Sequence, residues 1–279
     1  MIVLCDYGNI NKDRPEYVAQ RFGCDHVVMW FLFHFDRIKL LKIFLIFSCI
    51  IAAKGYSSIE TCDMSCEGNK NALVLYDESK LSPLVKPSRN FHFVNTDLVI
   101  TQDWGNLGVA AVVWDSAIVL CEYLENLKEE FIGKEVIELG AGSGLVGIVA
   151  GLLGANVVIT DRETVFPYLK KVVKQNLGTK DNVKYSVKVL DWTRDLHKYK
   201  QKYDIILGAD IIYVEEIFKE LLETLLHLSH KDTLLYLSCK IRYDRDTNFL
   251  DMLRGHFKLN AIFHDRERDI KIYLCRKIQ

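Results

Sequence analysis

A glycine-rich segment in the middle of the chain has the residue types and spacing of a ligand-binding loop. It reads VIELGAGSGLVG over residues 136–147, so a short apolar run leads directly into a turn with closely spaced glycines. Glycine allows positive φ angles and lets a ligand approach the backbone, and the helical pattern that follows offers free N–H groups at its start. The next apolar run ends in Asp161, a carboxylate placed to accept both hydroxyls of a ribose.

The spacing of this loop fits two kinds of cofactor. Gly142, Gly144 and Gly147 match the dinucleotide fingerprint, in which a pyrophosphate lies on the helix start. Glu138, Gly140 and Gly142 match the loop for S-adenosylmethionine, which contains an amino acid and a ribose but no phosphate. Glu138 favours the second, because a carboxylate would repel a pyrophosphate but suits an ammonium group. A third interpretation, tight packing of the helix on the strand, needs no ligand.

The elements that must position this loop are strands that alternate with helices. Apolar runs separated by amphipathic stretches lie at residues 136–139, 157–160, 183–189, 203–207 and 234–238. This alternation predicts βαβ units and a mostly parallel, Rossmann-like sheet with helices on both faces. The last two runs, 257–263 and 270–274, are joined by a short charged link and predict a C-terminal antiparallel hairpin. Open dinucleotide folds usually lack such a hairpin, so it also favours the methyl donor.

Two helices are predicted directly from residue type and spacing. Asp115 has the residue type of an N-cap and precedes apolar residues at helical spacing. Ile217, Leu221, Leu225 and Leu228 lie on one face of a second helix.

The N-terminal quarter of the chain differs from the rest. Residues 43–53 (IFLIFSCIIAA) are eleven residues without a charge, which span roughly half of a ~30 Å hydrocarbon core. The run lies far into the chain for a cleaved signal sequence, and the polar residues 54–71 have the composition of a linker. We predict an N-terminal extension over residues 1–71 and one methyltransferase domain over residues 72–279. Membrane contact is expected only if residues 43–53 are a true anchor.

Charge and cysteine usage exclude several classes of function. The 36 Lys and Arg balance 37 Asp and Glu, which argues against nonspecific nucleic-acid binding. Cys62 and Cys66 have no second ligand pair downstream, so we predict no metal site. Cys121, Cys239 and Cys275 lie within apolar patterns and are expected to be small buried side chains.

Six sequence blocks occur in the order found in a known enzyme family. They are QDW (102–104), LGVAAVVWD (107–115), ELGAG (138–142), ITDR (159–162), LGADIIY (207–213) and IRYDR (241–245). With these blocks the chain resembles the methyltransferase-like 21 group of seven-strand protein-lysine methyltransferases, from about residue 72 to the C-terminus. The resemblance implies the class I S-adenosylmethionine-dependent methyltransferase fold. It is greatest to the member that methylates 70-kDa heat-shock chaperones, which implies such a chaperone as the partner.

The resemblance also implies a set of cofactor-binding residues. They are Trp114, Glu138, Gly140, Ala141, Gly142, Asp161, Trp192 and Ala209. Trp114 would pack against the donor, Asp161 would hold the ribose hydroxyls, and Trp192 would stack near the adenine. The loop residues would line the methionine portion, and Ala209 would close the site from the fourth strand. The alternatives are that Trp114 is an ordinary core residue and that Asp161 caps the following helix.

The family's Asp-x-x-Tyr signature matches Asp210 and Tyr213 at the C-terminal end of the run 203–207. Ligands of open α/β sheets bind at that edge. We predict that Asp210 orients the incoming amine and that Tyr213 shapes the channel. The alternative is that Asp210 caps a helix that begins near Val214 and that Tyr213 is packing.

The function predicted from these residues is methylation of a protein lysine by S-adenosylmethionine. Two other functions stay open: an NAD(P)-dependent oxidoreductase, based on the glycine spacing alone, and a non-catalytic chaperone-binding module with the same fold. We expect a cytoplasmic monomer with no nucleic-acid partner.

Overall fold

The computed structural model describes residues 82–278 of the 279-residue chain. The predicted apolar segment, the linker and the domain boundary near residue 71 lie outside the described residues. Between residues 82 and 278, no single helix is long and apolar enough to cross a membrane. The bent pair Trp104–Ala111 and Asp115–Phe131, at an angle of 48°, passes the same test of length and composition.

The described part is built from nine strands and seven α-helices. The strands are β1 (Ser88–Phe93), β2 (Thr96–Thr101), β3 (Glu135–Leu139), β4 (Asn156–Asp161), β5 (Lys184–Val189), β6 (Tyr203–Ala209), β7 (Ser229–Cys239), β8 (Phe257–Asp265) and β9 (Ile270–Lys277). The helices are α1 (Trp104–Leu107), α2 (Asp115–Leu124), α3 (Lys128–Phe131), α4 (Leu145–Leu152), α5 (Phe166–Leu177), α6 (Phe218–Leu228) and α7 (Asp244–Arg254).

Seven of the strands form one mixed sheet in the order β5-β4-β3-β6-β7-β9-β8. The first five are parallel, and β9 pairs antiparallel with both β7 and β8. The predicted parallel sheet and the C-terminal hairpin are therefore confirmed. Six of the seven strands extend one to five residues beyond their apolar runs, because backbone pairing continues past the buried positions. The exception is β5, which begins one residue inside its run.

Strand β3, in the interior of the sheet, is buried on both of its faces. Val136 packs into the cluster that covers one face of the sheet, and Ile137 and Leu139 pack into the cluster on the other face. Successive side chains of a strand point to opposite faces, and a parallel strand is buried on both. Glu138 alternates with its neighbours, so its side chain enters the interior on the same face as that of Val136.

A separate hairpin of β1 and β2 was not predicted from the sequence. Its turn places Val94 and Asn95 at φ angles of 50° and 52°, and valine is not a residue that signals such a turn. The side chain of Asn176 on α5 accepts from the N–H of Val99 at 2.9 Å and donates to its carbonyl at 3.0 Å. The hairpin is thereby fixed by a side chain 77 residues away, which no local pattern could reveal.

The start of α2 differs from the prediction by one residue. Trp114 occupies the N-cap position with extended backbone angles, and Asp115 is the first helical residue. The prediction of Asp115 as the cap was wrong, although its charge still suits the positive end of the helix. The second predicted helix is present as α6, and Ile217 belongs to a short 3-10 turn before it. Cys121, Cys239 and Cys275 are buried and free, as predicted.

Candidate active site

The loop between β3 and α4 depends on glycine at three positions. Gly140, Gly142 and Gly144 have φ angles of 58°, 54° and 78°, in the left-handed region that L side chains rarely adopt. A Cβ on Gly142 would lie 2.9 Å from the carbonyl oxygen of Ala110. A Cβ on Gly140 would lie 3.0 Å from Cγ2 of Ile211 and 3.3 Å from Cζ2 of Trp192. The loop therefore approaches three neighbouring segments, those of Ala110, Trp192 and Ile211, too closely for side chains.

Asp161 ends β4 and braces this loop. One carboxylate oxygen accepts from the N–H of Gly142 at 2.8 Å, and the other accepts from the N–H of Arg162 at 2.7 Å. Burial raises the pKa of Asp161, while these hydrogen bonds and the charge of Arg162 lower it. Asp161 does not cap the next helix, since α5 begins at Phe166 and its N-cap is Val165. The alternative role as a cap was wrong, and the ribose contact stays a prediction.

Glu138 lies beneath the loop and is bonded to the helix that follows it. Its Oε2 accepts from the N–H of Gly147 at 2.8 Å, and the residue is 2% exposed. Burial raises the pKa of Glu138 to about 8, and the charge of Asp161 adds to the rise while the bond from Gly147 opposes it. A Cβ on Gly147 would lie 2.5 Å from this oxygen. Packing against Glu138 thus accounts for Gly147 without a pyrophosphate, and the contact of Glu138 with the donor's ammonium stays a prediction.

Trp114 is half-buried and ends a segment that is held in place by hydrogen bonds of the Gln102 side chain. Its indole N–H donates to the carbonyl of Val109 at 2.9 Å. The amide oxygen of Gln102 accepts from the N–H of Val113 at 2.8 Å, and its nitrogen donates to the carbonyls of Pro83 and Lys86. Sequence reasoning gave Gln102 no role, and its place in the QDW block was the one signal for it.

Trp192 forms a wall beside the glycine loop, and this wall fits the adenine of the predicted cofactor. The ring lies against Gly140, and the indole nitrogen is buried without a hydrogen-bond partner among residues 82–278. A buried donor without a partner is costly, and a heteroaromatic ligand with acceptor nitrogens can satisfy it. Ala141 is tied by its N–H to the carbonyl of Thr160 at 2.9 Å, and Ala209 is the last residue of β6.

Asp210 follows β6 in a left-handed conformation, with φ at 55°. Its N–H donates to the carbonyl of Ser238 at 2.8 Å. Its carboxylate accepts two hydrogen bonds from Arg242, at 2.9 Å and 2.8 Å, and the Asp210 side chain is 10% exposed. Asp210 does not cap the next helical turn, whose N-cap is Val214 without a side-chain bond, so that alternative was wrong. Sequence reasoning assigned no role to Arg242, which follows the carboxyl end of β7 in the IRYDR block.

Tyr213 lies three residues after Asp210, beyond the carboxyl end of β6. It is 49% exposed, so it is not a core packing residue. Partial burial raises the pKa of its phenol, the negative charges of Asp161 and Asp210 add to the rise, and Arg162 opposes it. The phenol is therefore within the electrostatic reach of both carboxylates.

Comparison with known proteins shows the family of the chain. Residues 92–256 match a family of lysine methyltransferases. The protein N-lysine methyltransferase METTL21A of Danio rerio is 52% identical over 210 residues, which are 74% of this chain and 96% of the relative. The EEF1A lysine methyltransferase 3 of Xenopus tropicalis is 40% identical over 193 residues, which are 68% of this chain and 85% of the relative.

A solved structure supports the fold. The 16S rRNA N2 G1207 methyltransferase RsmC of T. thermophilus, in complex with AdoMet and guanosine, aligns with a TM-score of 0.51 and 16% identity. The alignment covers 68% of this chain and 50% of that one. The sheet is thus that of class I S-adenosylmethionine-dependent methyltransferases, and of the three functions left open by the sequence the family match supports the lysine methyltransferase. Given the match over residues 92–256 and relatives that are identical to it at about half of the 210 aligned residues, this chain belongs to the lysine methyltransferase family and is a protein-lysine N-methyltransferase that uses S-adenosylmethionine.

Proposed function

We propose that this enzyme methylates a lysine of a 70-kDa heat-shock-class chaperone, and that Asp210 and Tyr213 form the acceptor side of its active site. The observation that carries the acceptor side is the placement of Asp210 at the carboxyl end of β6. Ile211, which directly follows Asp210, packs against Gly140 of the glycine loop. The acceptor residue and the predicted donor loop are therefore joined through one side chain.

The choice of substrate is supported by the relatives. METTL21A of Danio rerio is more similar to this chain than the EEF1A lysine methyltransferase 3 of Xenopus tropicalis, and the match spans 96% of its length. Four of the blocks that resemble the chaperone-methylating member lie at or just after the carboxyl ends of strands of the large sheet: ELGAG, ITDR, LGADIIY and IRYDR. Because a relative at 40% identity is an EEF1A lysine methyltransferase, elongation factor 1A is the natural comparison substrate.

The donor side is proposed to use the residues around the glycine loop. Bound S-adenosylmethionine supplies a methyl group that is activated by its sulfonium. Asp161 has lone pairs left for the ribose hydroxyls after its two backbone bonds, since each carboxylate oxygen can accept more than one. Trp192 offers its ring and its buried N–H to the adenine, and Trp114 offers a half-buried aromatic face.

The acceptor residues have little chemistry to supply beyond alignment. The neutral amine nitrogen of the substrate lysine bonds to the methyl carbon as the carbon–sulfur bond breaks, the sulfonium becomes a thioether, and the methylated ammonium releases a proton to water. A lysine with a pKa near ~10.4 must first lose its own proton, which water accepts before the site closes. Asp210 then accepts a hydrogen bond from the amine and directs its lone pair, which is the effect that alignment contributes to catalysis. Tyr213 forms the wall of the channel.

Labelled methyl donor distinguishes the substrates. The full chain is incubated with the donor and either a 70-kDa chaperone or elongation factor 1A, and the labelled lysine is located by mass spectrometry. We expect label on the chaperone and its loss with Asp210→Asn. Label on elongation factor 1A alone would identify that protein as the substrate. No label on the chaperone would reject this proposal.

A cytoplasmic location and a monomeric state complete the proposal. The near-neutral net charge of −1 supports a chain that does not depend on a nucleic-acid partner. Light scattering of the purified chain tests the monomer, and intact-mass analysis combined with cell fractionation tests the location.

A further inference from the structure

Arg242 lies between Asp210, the predicted acceptor residue, and Trp114, a predicted donor-binding residue. Its guanidinium donates to both carboxylate oxygens of Asp210, at 2.9 Å and 2.8 Å, and lies 5.9 Å from the ring centroid of Trp114. Bidentate pairing fixes the orientation of a carboxylate as well as its position. The pair crosses 32 residues of sequence and joins the loop after β6 to the loop after β7.

The loop that carries Arg242 is itself held in place. The carboxylate of Asp246 on α7 accepts from the backbone N–H groups of Arg242 and Tyr243, at 2.8 Å and 3.1 Å. The carbonyl of Lys240 accepts from the Arg242 guanidinium at 3.4 Å. Arg242 therefore reaches Asp210 from a fixed base, although 37% of its side chain is exposed.

Few other ionisable groups face this pair. The thiol of Cys239 at the end of β7 is buried, and burial together with Asp210 and Asp246 raises its pKa, so it stays neutral. The phenol of Tyr213 also has a raised pKa and is neutral near pH 7. The ammonium of Lys240 donates to the carbonyl of Arg268 at 3.0 Å rather than to Asp210. The hydrogen bonds that Arg242 donates to Asp210 raise the pKa of Arg242, which therefore remains charged.

We propose that Arg242 is a positioning residue for methyl transfer: it fixes the Asp210 carboxylate and neutralises its charge, so that the substrate lysine is bound as the neutral amine. This inference rests on the proposed role of Asp210. Without Arg242, the carboxylate would be an unpaired anion facing the substrate nitrogen. Such an anion within hydrogen-bond range stabilises an ammonium and raises its pKa by about 1–3 units. The ammonium has no lone pair, so tighter binding of that form slows transfer.

The geometry leaves Asp210 able to contact the amine while it is paired. Each of its oxygens accepts one bond from the guanidinium, and each keeps a second lone-pair direction. Asp210 can thus accept one N–H of the amine without acting as the counter-ion of an ammonium.

The pH dependence of turnover tests this role. For Arg242→Gln we expect the rise of kcat with pH to move about one unit or more to the alkaline side, which lowers kcat near neutral pH at least about 10-fold. KM for the protein substrate should stay the same or fall, because the ammonium form now binds in a non-productive way. Arg242→Lys keeps the charge, so its profile should stay in the wild-type position with a lower kcat. A kcat that falls equally at every pH, with no displacement of the profile, would overturn the proposal.

Arg268→Gln is the matched control. Arg268 makes an equivalent bidentate pair with Glu122, at 3.0 Å and 3.1 Å, away from Asp210. Its loss should leave the pH profile in place. Donor affinity, measured with S-adenosylhomocysteine, should be unchanged in Arg242→Gln, which separates the effect from unfolding.

A double variant keeps the test decisive if Arg242→Gln alone does not fold. Asp210→Asn removes the charge that Arg242 compensates, so adding Arg242→Gln to it should change kcat less than about twofold, since residues that act through each other are not additive. A further loss of about 10-fold or more in the double variant would show that Arg242 acts independently of Asp210. If the wild type itself methylated no substrate, the proposed function would fail and not the role of Arg242.

Discussion

The carboxylate of Asp161 accepts a hydrogen bond from the N–H of Gly142 at 2.8 Å, which ties the end of β4 to the loop after β3. Gly142 can present that N–H because its φ angle of 54° turns the backbone in a way that a side chain would oppose. Asp161, which is predicted to bind the ribose, therefore also holds the shape of the glycine loop that is predicted to bind the methionine portion.

Asp161→Ala should weaken donor binding about tenfold or more. The change removes the predicted ribose contacts and releases the N–H of Gly142, and hydrogen bonds to a charged group are each worth about 1.5–3 kcal/mol. Calorimetry with S-adenosylhomocysteine measures the effect. Glu163→Ala is the control, since Glu163 is an exposed carboxylate two residues along that pairs with Arg194. Unchanged affinity in Asp161→Ala would remove this residue from the site.

Asp210→Asn should lower kcat about 100-fold and leave donor affinity unchanged. Asparagine tolerates the left-handed conformation at this position, so the backbone is expected to hold. The loss reflects an amine that is no longer oriented by a carboxylate, and misalignment alone costs a factor of this order. Steady-state kinetics with labelled donor, together with calorimetry, separates the two effects. Normal turnover would show that Asp210 does not contact the substrate.

Gly147→Ala should destabilise the fold by about 1–3 kcal/mol, because the interior has no room for the added methyl group. The new Cβ would lie 2.5 Å from Oε2 of Glu138 and 2.6 Å from Cγ1 of Ile159. Gly105→Ala is the matched control in α1, where nothing lies within 4 Å of the added atom. That change should be neutral or stabilise by up to about 1 kcal/mol. Urea denaturation of both variants compares them, and equal effects would contradict the packing argument.

Glu138→Gln should flatten the pH dependence of stability. The pKa of Glu138 is about 8 in the folded protein against an ordinary value of 4.5, so the folded chain holds a proton that the unfolded chain releases between these values. The free energy of unfolding of the wild type should therefore fall as pH rises through this window, by up to about 1.4 kcal/mol per unit, and level off above it.

The variant lacks this titration, so its stability relative to the wild type should increase with pH across the same window. Denaturation at several pH values between about 4.5 and 8 measures the two slopes. Glu129→Gln, which removes an exposed carboxylate from α3, is the control for loss of a charge. Parallel curves for wild type and Glu138→Gln would show that this carboxyl is ionised throughout.

Much of the sheet could be predicted from the sequence. The apolar runs of β3, β4 and β6 are buried on both faces, and a strand of that kind is visible as a continuous run. The glycines of the loop and the position of Asp161 were also predictable, because backbone geometry and strand ends leave local signals. Asp210 and Tyr213 were placed by the order of strands and by the family resemblance.

Hydrogen bonds between different elements of the fold depended on the tertiary structure alone. The bond between Glu138 and Gly147 arises because β3 buries that carboxyl beneath α4. It gives Gly147, the last glycine of the dinucleotide spacing, a packing role that spacing alone had left open. The pairing of Arg242 with Asp210 arises because β6 and β7 are neighbours whose carboxyl ends meet at one edge. Residue types determined the strands of the large sheet and the glycine loop, since those depend on local backbone preference and burial. Which charges meet depended on the packing of segments far apart in the chain.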